Sequence, residues 1–320
     1  MKNFSLLIFL FVIVFSCKND SKIEKEIAKI DVDFIVERFD KAFGETTPEN
    51  LAETKKAYPF MFSEKYPDSF WIAKVNDTLQ QQLTQETARV FPELKQEKEE
   101  IIQLFQHLEY YFPEFKTPRV VTTTSNVDYR NKVIVTDTIV LISLDTYLGK
   151  DHEFYQGIQK YLRENFSKDQ MVVDLAAAYA ERYIYQKPPK SLLDEMIYYG
   201  KQLYFKDVVI PFKTDAEKIG YTQDQLDWAA ANETEIWRYF VEKELLFSTD
   251  SKLPNRFINP APFSKFYLEE IDTESPGQIG RYMGWQIVRA YMAHNEVSLK
   301  DMLQKEPTEI FNNSNFKPKK

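Results

Sequence analysis

The feature that most limits how this chain can fold is that its only convincing β region lies at residues 118–144. Arg119 to Thr124, Val133 to Val135 and Ile139 to Ile142 are rich in valine, isoleucine and threonine, which favour strands. Asparagine and aspartate residues between these runs are typical of turns. The sequence therefore predicts one small antiparallel sheet over about 118–144, with a weaker strand signal at 32–36, where apolar and other residues alternate.

Most of the remaining sequence has apolar residues at helical spacing. Eight glycines against twenty-five phenylalanines and nineteen tyrosines also favour helices and aromatic packing over glycine-rich turns. The predicted helices cover 74–112 with a break at Pro92, 169–186, 192–205, 223–247 and 277–293, with a loop at 254–263. The predicted fold class is α+β and mainly α-helical, with the small sheet packed against long helices.

Three of the eight glycines, Gly277, Gly280 and Gly284, follow one another at spacings of three and four. On a helix they share one face and allow close approach of a neighbouring backbone. A glycine inside a helix usually has a packing reason, so we expect tight packing within the domain. A groove for a partner chain, lined by Arg281 and Gln286 together with Lys201, is the alternative.

The amino-terminal seventeen residues predict export and lipid attachment. A single lysine, a short apolar run and a small residue directly before Cys17 are typical of a secretory signal. The cysteine at the cut site makes it similar to a bacterial lipoprotein signal, with residues 1–16 removed and Cys17 carrying acyl chains such as palmitate. The apolar run is shorter than the about 20 residues needed to span a bilayer. An ordinary signal peptide or an uncleaved anchor is the alternative.

The remaining boundaries follow from composition. Residues 17–30 are polar and charged and predict a lipidated tether, 31–306 predict a single mainly helical domain, and the polar residues 307–320 predict a disordered tail. Cys17 is the only cysteine, so the domain has no internal disulfide.

The charge balance excludes one class of partner. The chain has 41 basic and 49 acidic side chains, whereas nucleic acid and anionic lipid are bound by clustered lysine and arginine. Membrane association is therefore expected to come from the acyl chains, more than one of which is needed for a stable anchor. No aspartate directly follows Cys17, which favours the outer membrane, on its periplasmic or surface face, over the inner membrane.

The sequence carries no complete catalytic motif that we can identify. A glycine-flanked nucleophilic serine, a Walker loop and a glycine-rich dinucleotide turn are absent. Zinc peptidases need two histidines four residues apart on one helix, and His152–Glu153 is followed by Gln156 instead. We therefore predict neither a metal nor a cofactor. A carboxylate pair drawn from Asp174, Glu181 and Glu195 is an open alternative, because glycan hydrolysis needs only two suitably spaced acids.

Four local motifs occur in a recognisable order: Glu37–Asp40, Ser143–Gly149, Leu193–Tyr204 and Pro276–Gln286. Together with the cysteine at the signal cut site, they make the chain resemble the GldB family of gliding-motility lipoproteins of the Bacteroidota. The resemblance covers roughly Val32 to Ala293. It implies a role in cell-surface motility and in its envelope machinery.

The order of elements is also similar to that of gluzincin-type metallopeptidase domains. In that comparison 118–144 is the sheet, 169–186 the active-site helix and 191–206 the second helix. Because the zinc-binding histidines are missing, the resemblance implies a degenerate, catalytically silent copy whose former substrate cleft binds protein. The candidate residues of this cleft are Asp174, Glu181, Glu195, Lys201, Arg281 and Gln286.

We therefore expect a lipid-anchored, non-catalytic accessory protein of the gliding machinery, with other gliding and secretion proteins of the envelope as partners. One alternative is an envelope hydrolase acting on peptide or peptidoglycan. Another is a passive glycan-binding lipoprotein. Its test is whether aromatic side chains cluster on an exposed surface, with Tyr110–Phe112 and Tyr198–Tyr199 as the candidate runs.

Overall fold

A computed structural model of the protein describes residues 22–185 and 187–319. For residues 269 and 270 it describes the backbone alone. Within these residues the strands form a single mixed sheet in the order β1-β2-β4-β3. The strands are β1 (Val36–Arg38), β2 (Arg119–Thr123), β3 (Val133–Val135) and β4 (Ile139–Ser143). The predicted mainly helical α+β class is confirmed, as is a sheet within 118–144.

The antiparallel arrangement predicted for that sheet is wrong for its central strands. β1 and β4 both run parallel to β2, and only β3 runs antiparallel to β4. The reason lies in β2, where Val120, Val121 and Thr122 are all fully buried. A continuous β-branched run is typical of a parallel strand covered on both faces, whereas a half-exposed antiparallel strand alternates.

The amino-terminal helices cover one face of the sheet. Phe39, Phe43, Phe62 and Trp71 from this part of the chain pack with Val121 in one apolar cluster. These helices are α1 (Phe39–Gly44), α2 (Leu51–Ala57), α3 (Asp68–Val75) and α4 (Thr78–Val90). Helix α5 (Lys95–Tyr111) follows them but packs in the core on the opposite face of the sheet. The break predicted at Pro92 is confirmed between α4 and α5.

The other face of the sheet, through Val120 and Val140, packs in the main core with the remaining helices. There Phe105 of α5 lies 6.1 Å from Tyr179 of the helix that follows the sheet. The later helices are α6 (Lys160–Arg163), α7 (Met171–Tyr183), α8 (Leu192–Val209), α9 (Asp215–Ile219), α10 (Gln223–Ala231), α11 (Glu233–Glu242), α12 (Leu253–Phe257), α13 (Glu269–Asp272), α14 (Ile279–His294), α15 (Leu299–Gln304) and α16 (Pro307–Asn313).

Helices α8 and α14 cross in direct backbone contact through glycines. A Cβ atom added at Gly284 would lie 1.8 Å from the carbonyl oxygen of Met196, and one added at Gly200 would lie 2.3 Å from that of Gly284. Neither position has room for a side chain. The tight packing predicted for the glycine-rich helix is confirmed, although Gly277 precedes the helix and approaches the carbonyl of Ala261 instead.

The carboxyl-terminal segment corrects the prediction of a disordered tail over 307–320. Pro307–Asn313 is helical, Ile310 is fully buried, and Phe316 lies 5.2 Å from the Trp237 ring. Aromatic and isoleucine side chains thus outweigh the polar composition. Two other expectations also need correction, since Asn232 divides 223–247 into α10 and α11, and the predicted loop at 254–263 begins within α12.

The predicted tether over 17–30 is wrong for its second half. Residues 22–27 are helical, and Ile27 is 1% exposed. Gln106 of α5 donates a hydrogen bond of 2.8 Å to the carbonyl oxygen of Ile30. The predicted signal peptide and Cys17 lie outside the described residues. Among the residues described, no helix is both long and apolar enough to cross a bilayer.

Candidate functional site

Three helices bring charged side chains together on a partly exposed surface. Glu181 lies on α7, Glu195 and Lys206 on α8, and Arg281 on α14; we call these four residues the three-helix cluster. Glu195 and Lys206 are eleven positions apart, which is about three helical turns, so they share one face of α8. The glycine crossing of α8 and α14 holds Arg281 against this face.

Arg281 is fixed in position by two contacts. Its guanidinium lies 3.8 Å from the centre of the Tyr199 ring, and its Nε donates a 2.8 Å hydrogen bond to the carbonyl oxygen of Ile258. Gly280 allows this approach, because a Cβ there would lie 3.0 Å from the Phe257 carbonyl oxygen. Burial lowers the pKa of Arg281, yet an arginine stays charged in proteins. The cluster therefore contains a permanent, oriented cation.

Lys206 supplies a second cation beneath the surface. It is buried, and its Nζ donates a 2.9 Å hydrogen bond to the carbonyl oxygen of Lys218. Burial lowers the pKa of Lys206 to about 8, while the negative charges of Asp174 and Glu181 act in the opposite direction. The ammonium is therefore mostly protonated at neutral pH.

The two carboxylates of the cluster face these cations without pairing with them. Burial raises the pKa of both Glu181 and Glu195, and the positive charge of Arg281 partly offsets this effect. Glu181 is nevertheless exposed and Glu195 half-buried. In the part of the chain that the structure describes, neither forms an ion pair within 4.0 Å. Their hydrogen-bonding capacity is thus open to a ligand or to water.

Asp174, also predicted for the cleft, has a structural pairing instead. Its carboxylate accepts a 2.9 Å hydrogen bond from the Tyr147 hydroxyl and forms an ion pair with Lys132. These contacts tie α7 to the loop after β4 and to the residue before β3. Asp174 therefore affects the cluster only through its charge on Lys206.

The structure does not bring Lys201 and Gln286 to the cluster. Lys201 is 2% exposed, and its Nζ donates to the carbonyl oxygens of Leu303 and Lys305. It lines a separate cavity of about 320 Å³ beside α16, and burial lowers its pKa to about 8. Gln286 is buried and, five positions after Arg281, is turned about 140° away around α14.

The histidines lie apart, each beside a different oxygen. His152 Nε2 lies 3.1 Å from Glu86 Oε2, His107 Nε2 lies 3.3 Å from Glu24 Oε2, and His294 Nδ1 lies 2.7 Å from the Ala290 carbonyl oxygen. Over residues 22–185 and 187–319, no group of three or more potential ligands is arranged to hold a metal ion.

Of the residues predicted for the cleft, the structure brings Glu181, Glu195 and Arg281 onto one surface. Lys206 was not predicted there, and Tyr199 was a candidate only for glycan stacking. The eleven-residue spacing of Lys206 from Glu195 was a usable signal. The stacking of Tyr199 on Arg281 was not, because it depends on how α8 crosses α14.

Comparison with known proteins assigns the chain to a class and then to a family. A family model described as gliding motility protein GldB matches residues 20–318, which is nearly the whole chain. The protein therefore belongs with the gliding-motility lipoproteins, which are associated with the cell envelope. The chain is a member of the GldB family.

No curated protein matches the chain, and no solved structure matches it either. The resemblance to gluzincin-type metallopeptidases thus stays unconfirmed.

Proposed function

We propose that the protein is a non-catalytic accessory component of the gliding machinery, anchored through lipid on Cys17 after removal of residues 1–16. In this proposal it resides in the outer membrane and binds a protein partner through the three-helix cluster. The observation that supports partner binding is the fixed Arg281 beside two carboxylates, Glu181 and Glu195. Among the described residues, neither carboxylate has an ion-pair partner within 4.0 Å.

The chemistry of the cluster suits a polar protein segment carrying charges of both signs. Arginine and tyrosine are enriched among the residues that dominate binding energy in interfaces, and here Arg281 stacks on Tyr199. Unpaired charges of opposite sign select a partner with the complementary arrangement, because like charges placed together cost several kcal/mol. Arg281 is already held in place by Tyr199 and the Ile258 carbonyl oxygen, so binding does not have to order its side chain.

The experiment is charge reversal at the accessible carboxylates, with spreading motility and crosslinking in cells as readouts. Glu181→Lys and Glu195→Lys should abolish spreading and the crosslink to the partner while leaving lipid labelling and protein level unchanged. Glu53→Lys makes the same charge change at an exposed position of α2 and is the matched control. Normal spreading in both cluster variants would contradict the proposal.

A hydrolase is the second candidate, because raised carboxyl pKa values are a property of catalytic acids. Glu181→Gln and Glu195→Gln keep the shape of each side chain and remove its acid–base function. Turnover of peptidoglycan or peptide by the wild-type protein, lost in these variants, would replace the docking proposal with catalysis.

A glycan-binding role is favoured by one observation. Tyr66 and Phe70 stack with ring centres 4.2 Å apart, and both are exposed beside the buried Trp71. Retention of the protein on insoluble peptidoglycan, lost in Tyr66→Ala and Phe70→Ala but kept in Tyr185→Ala, would support this role. Tyr185 is a suitable control since its ring is also exposed.

A further inference from the structure

Residues 22–30 are fastened to α5, which leaves only a short stretch of chain between Cys17 and the folded domain. Ile27 is buried, Glu24 Oε2 lies 3.3 Å from His107 Nε2, and Gln106 donates to the Ile30 carbonyl oxygen. We call residues 22–30 the docked segment. Its contacts combine an apolar anchor with two polar ones, so it behaves as part of the domain.

The length of chain before the docked segment limits the distance between lipid and domain. Cys17 and Lys22 are five residues apart, and a chain spans at most about 3.5 Å per residue. Lys22 therefore lies within about 17 Å of Cys17, the point at which the lipid is attached. A free tether over 17–30 would reach roughly 45 Å by the same rule.

The docked segment crosses α5 near the carboxyl-terminal end of that helix. Glu24 and Ile30 contact His107 and Gln106, and the chain then continues towards the other end, where Lys98 lies 5.4 Å from the Phe34 ring. Lys95 and Tyr110 are fifteen positions apart on α5, which is about 22 Å along its axis. The lipid is thus attached close to one end of a long rigid element.

We propose that the docked segment and the carboxyl-terminal end of α5 form the surface that faces the lipid bilayer. This proposal rests on the lipidation of Cys17 proposed above. Tyr110 is 37% exposed at that end, and tyrosine suits a membrane interface because its ring is apolar and its hydroxyl polar. The domain therefore stands on the membrane in one orientation, with the amino-terminal end of α5 farther from the lipid.

The test uses the full-length lipidated protein in vesicles of phosphatidylethanolamine and phosphatidylglycerol that contain a headgroup-nitroxide lipid. A fluorophore is attached at Tyr110→Cys or, as the matched control, at Lys95→Cys. Acylation blocks Cys17, the only natural cysteine, so the dye reacts at the introduced position alone. Quenching at position 110 should be severalfold stronger than at 95, and Lys25→Cys on the docked segment should behave like position 110.

Equal quenching at 110 and 95, or stronger quenching at 95, would overturn the orientation. Insertion of a 20-residue Gly/Ser linker between Ser21 and Lys22 raises the mean reach from about 12 to about 27 Å, and should reduce quenching at 110. Unchanged quenching at 110 would also overturn the proposal. Failure of Cys17 lipidation is detected separately, by mass spectrometry and by loss of vesicle binding, and would instead contradict the proposed function.

Discussion

Replacement of Gly284 by alanine should destabilise the protein strongly, because the added methyl group has no space at the crossing of α8 and α14. The new Cβ would lie 1.8 Å from the Met196 carbonyl oxygen, whereas ordinary contact begins at 3.4 Å. Relief of this clash requires the backbones to separate by the difference, about 1.6 Å. Overpacking of this kind typically costs about 1–3 kcal/mol, and rigid backbone on both sides puts Gly284→Ala at the upper end.

Alanine is also a better helix former than glycine, by about 1 kcal/mol, so the expected net loss in free energy of unfolding is about 2 kcal/mol. Urea denaturation followed by circular dichroism measures it. With a slope near 3 kcal/mol per molar, the midpoint should fall by about 0.7 M.

Gly157→Ala is the matched control, because a Cβ at Gly157 meets nothing within 4 Å, and its midpoint should stay unchanged. An unchanged midpoint for Gly284→Ala would refute the argument that steric exclusion sets the helix crossing. A second consequence concerns the three-helix cluster. Separation of α8 from α14 moves Arg281 off the Tyr199 ring, so Gly284→Ala should also impair partner crosslinking.

Three further predictions concern buried and charged groups. Asp145→Asn should lower the free energy of unfolding, measured by urea denaturation, by about 1–3 kcal/mol. The Asp145 carboxylate accepts hydrogen bonds from the backbone N–H groups of Ser125 and Val127, whereas the amide of asparagine has one acceptor oxygen fewer. Burial lowers the pKa of Lys206 to about 8, so above that pH the unfolded chain binds one proton more than the folded protein. The free energy of unfolding should therefore rise between pH 8 and 10, by at most about 1.4 kcal/mol per pH unit for one lysine. Lys206→Met should reduce this slope. Burial would raise the pKa of Asp215, but hydrogen bonding and charge from Arg289 outweigh it and hold that pKa below its usual value. The ionised Asp215 therefore stabilises the fold above the ordinary carboxyl pKa, and this stabilisation should be lost as the pH falls below about 4. In acid titrations the difference in stability between wild type and Asp215→Asn should accordingly shrink.

Much of the fold was accessible from local sequence patterns because those patterns reflect local physics. The amphipathic spacing of α5, α7 and α14 and the β-branched runs of the sheet are properties of neighbouring residues. The direction of β4 relative to β2 is not a property of neighbouring residues, because it depends on which faces of the sheet the helices cover. The helix at Pro307–Asn313 was missed because its order comes from Trp237 and other residues far away in the sequence.

The candidate site divides in the same way. Glu181, Glu195 and Arg281 could be grouped because each is a charged residue on a predicted helix. Lys201 was assigned to the same group although it lies on another side of α8, beside Leu303 and Lys305. Helical spacing alone puts Lys201 about 120° from Glu195 around α8. The contact of Arg281 with Tyr199, in contrast, depends on how α8 crosses α14.

The last residues of the chain have a consequence for when folding can be completed. The Lys319 backbone N–H donates to Glu233, whose other carboxylate oxygen accepts from the Tyr282 hydroxyl, and β1 pairs with β2 more than eighty residues later. Contacts so distant in sequence form late and slowly. The packing around Glu233 is therefore completed only after the segment that carries Lys319 has been synthesised.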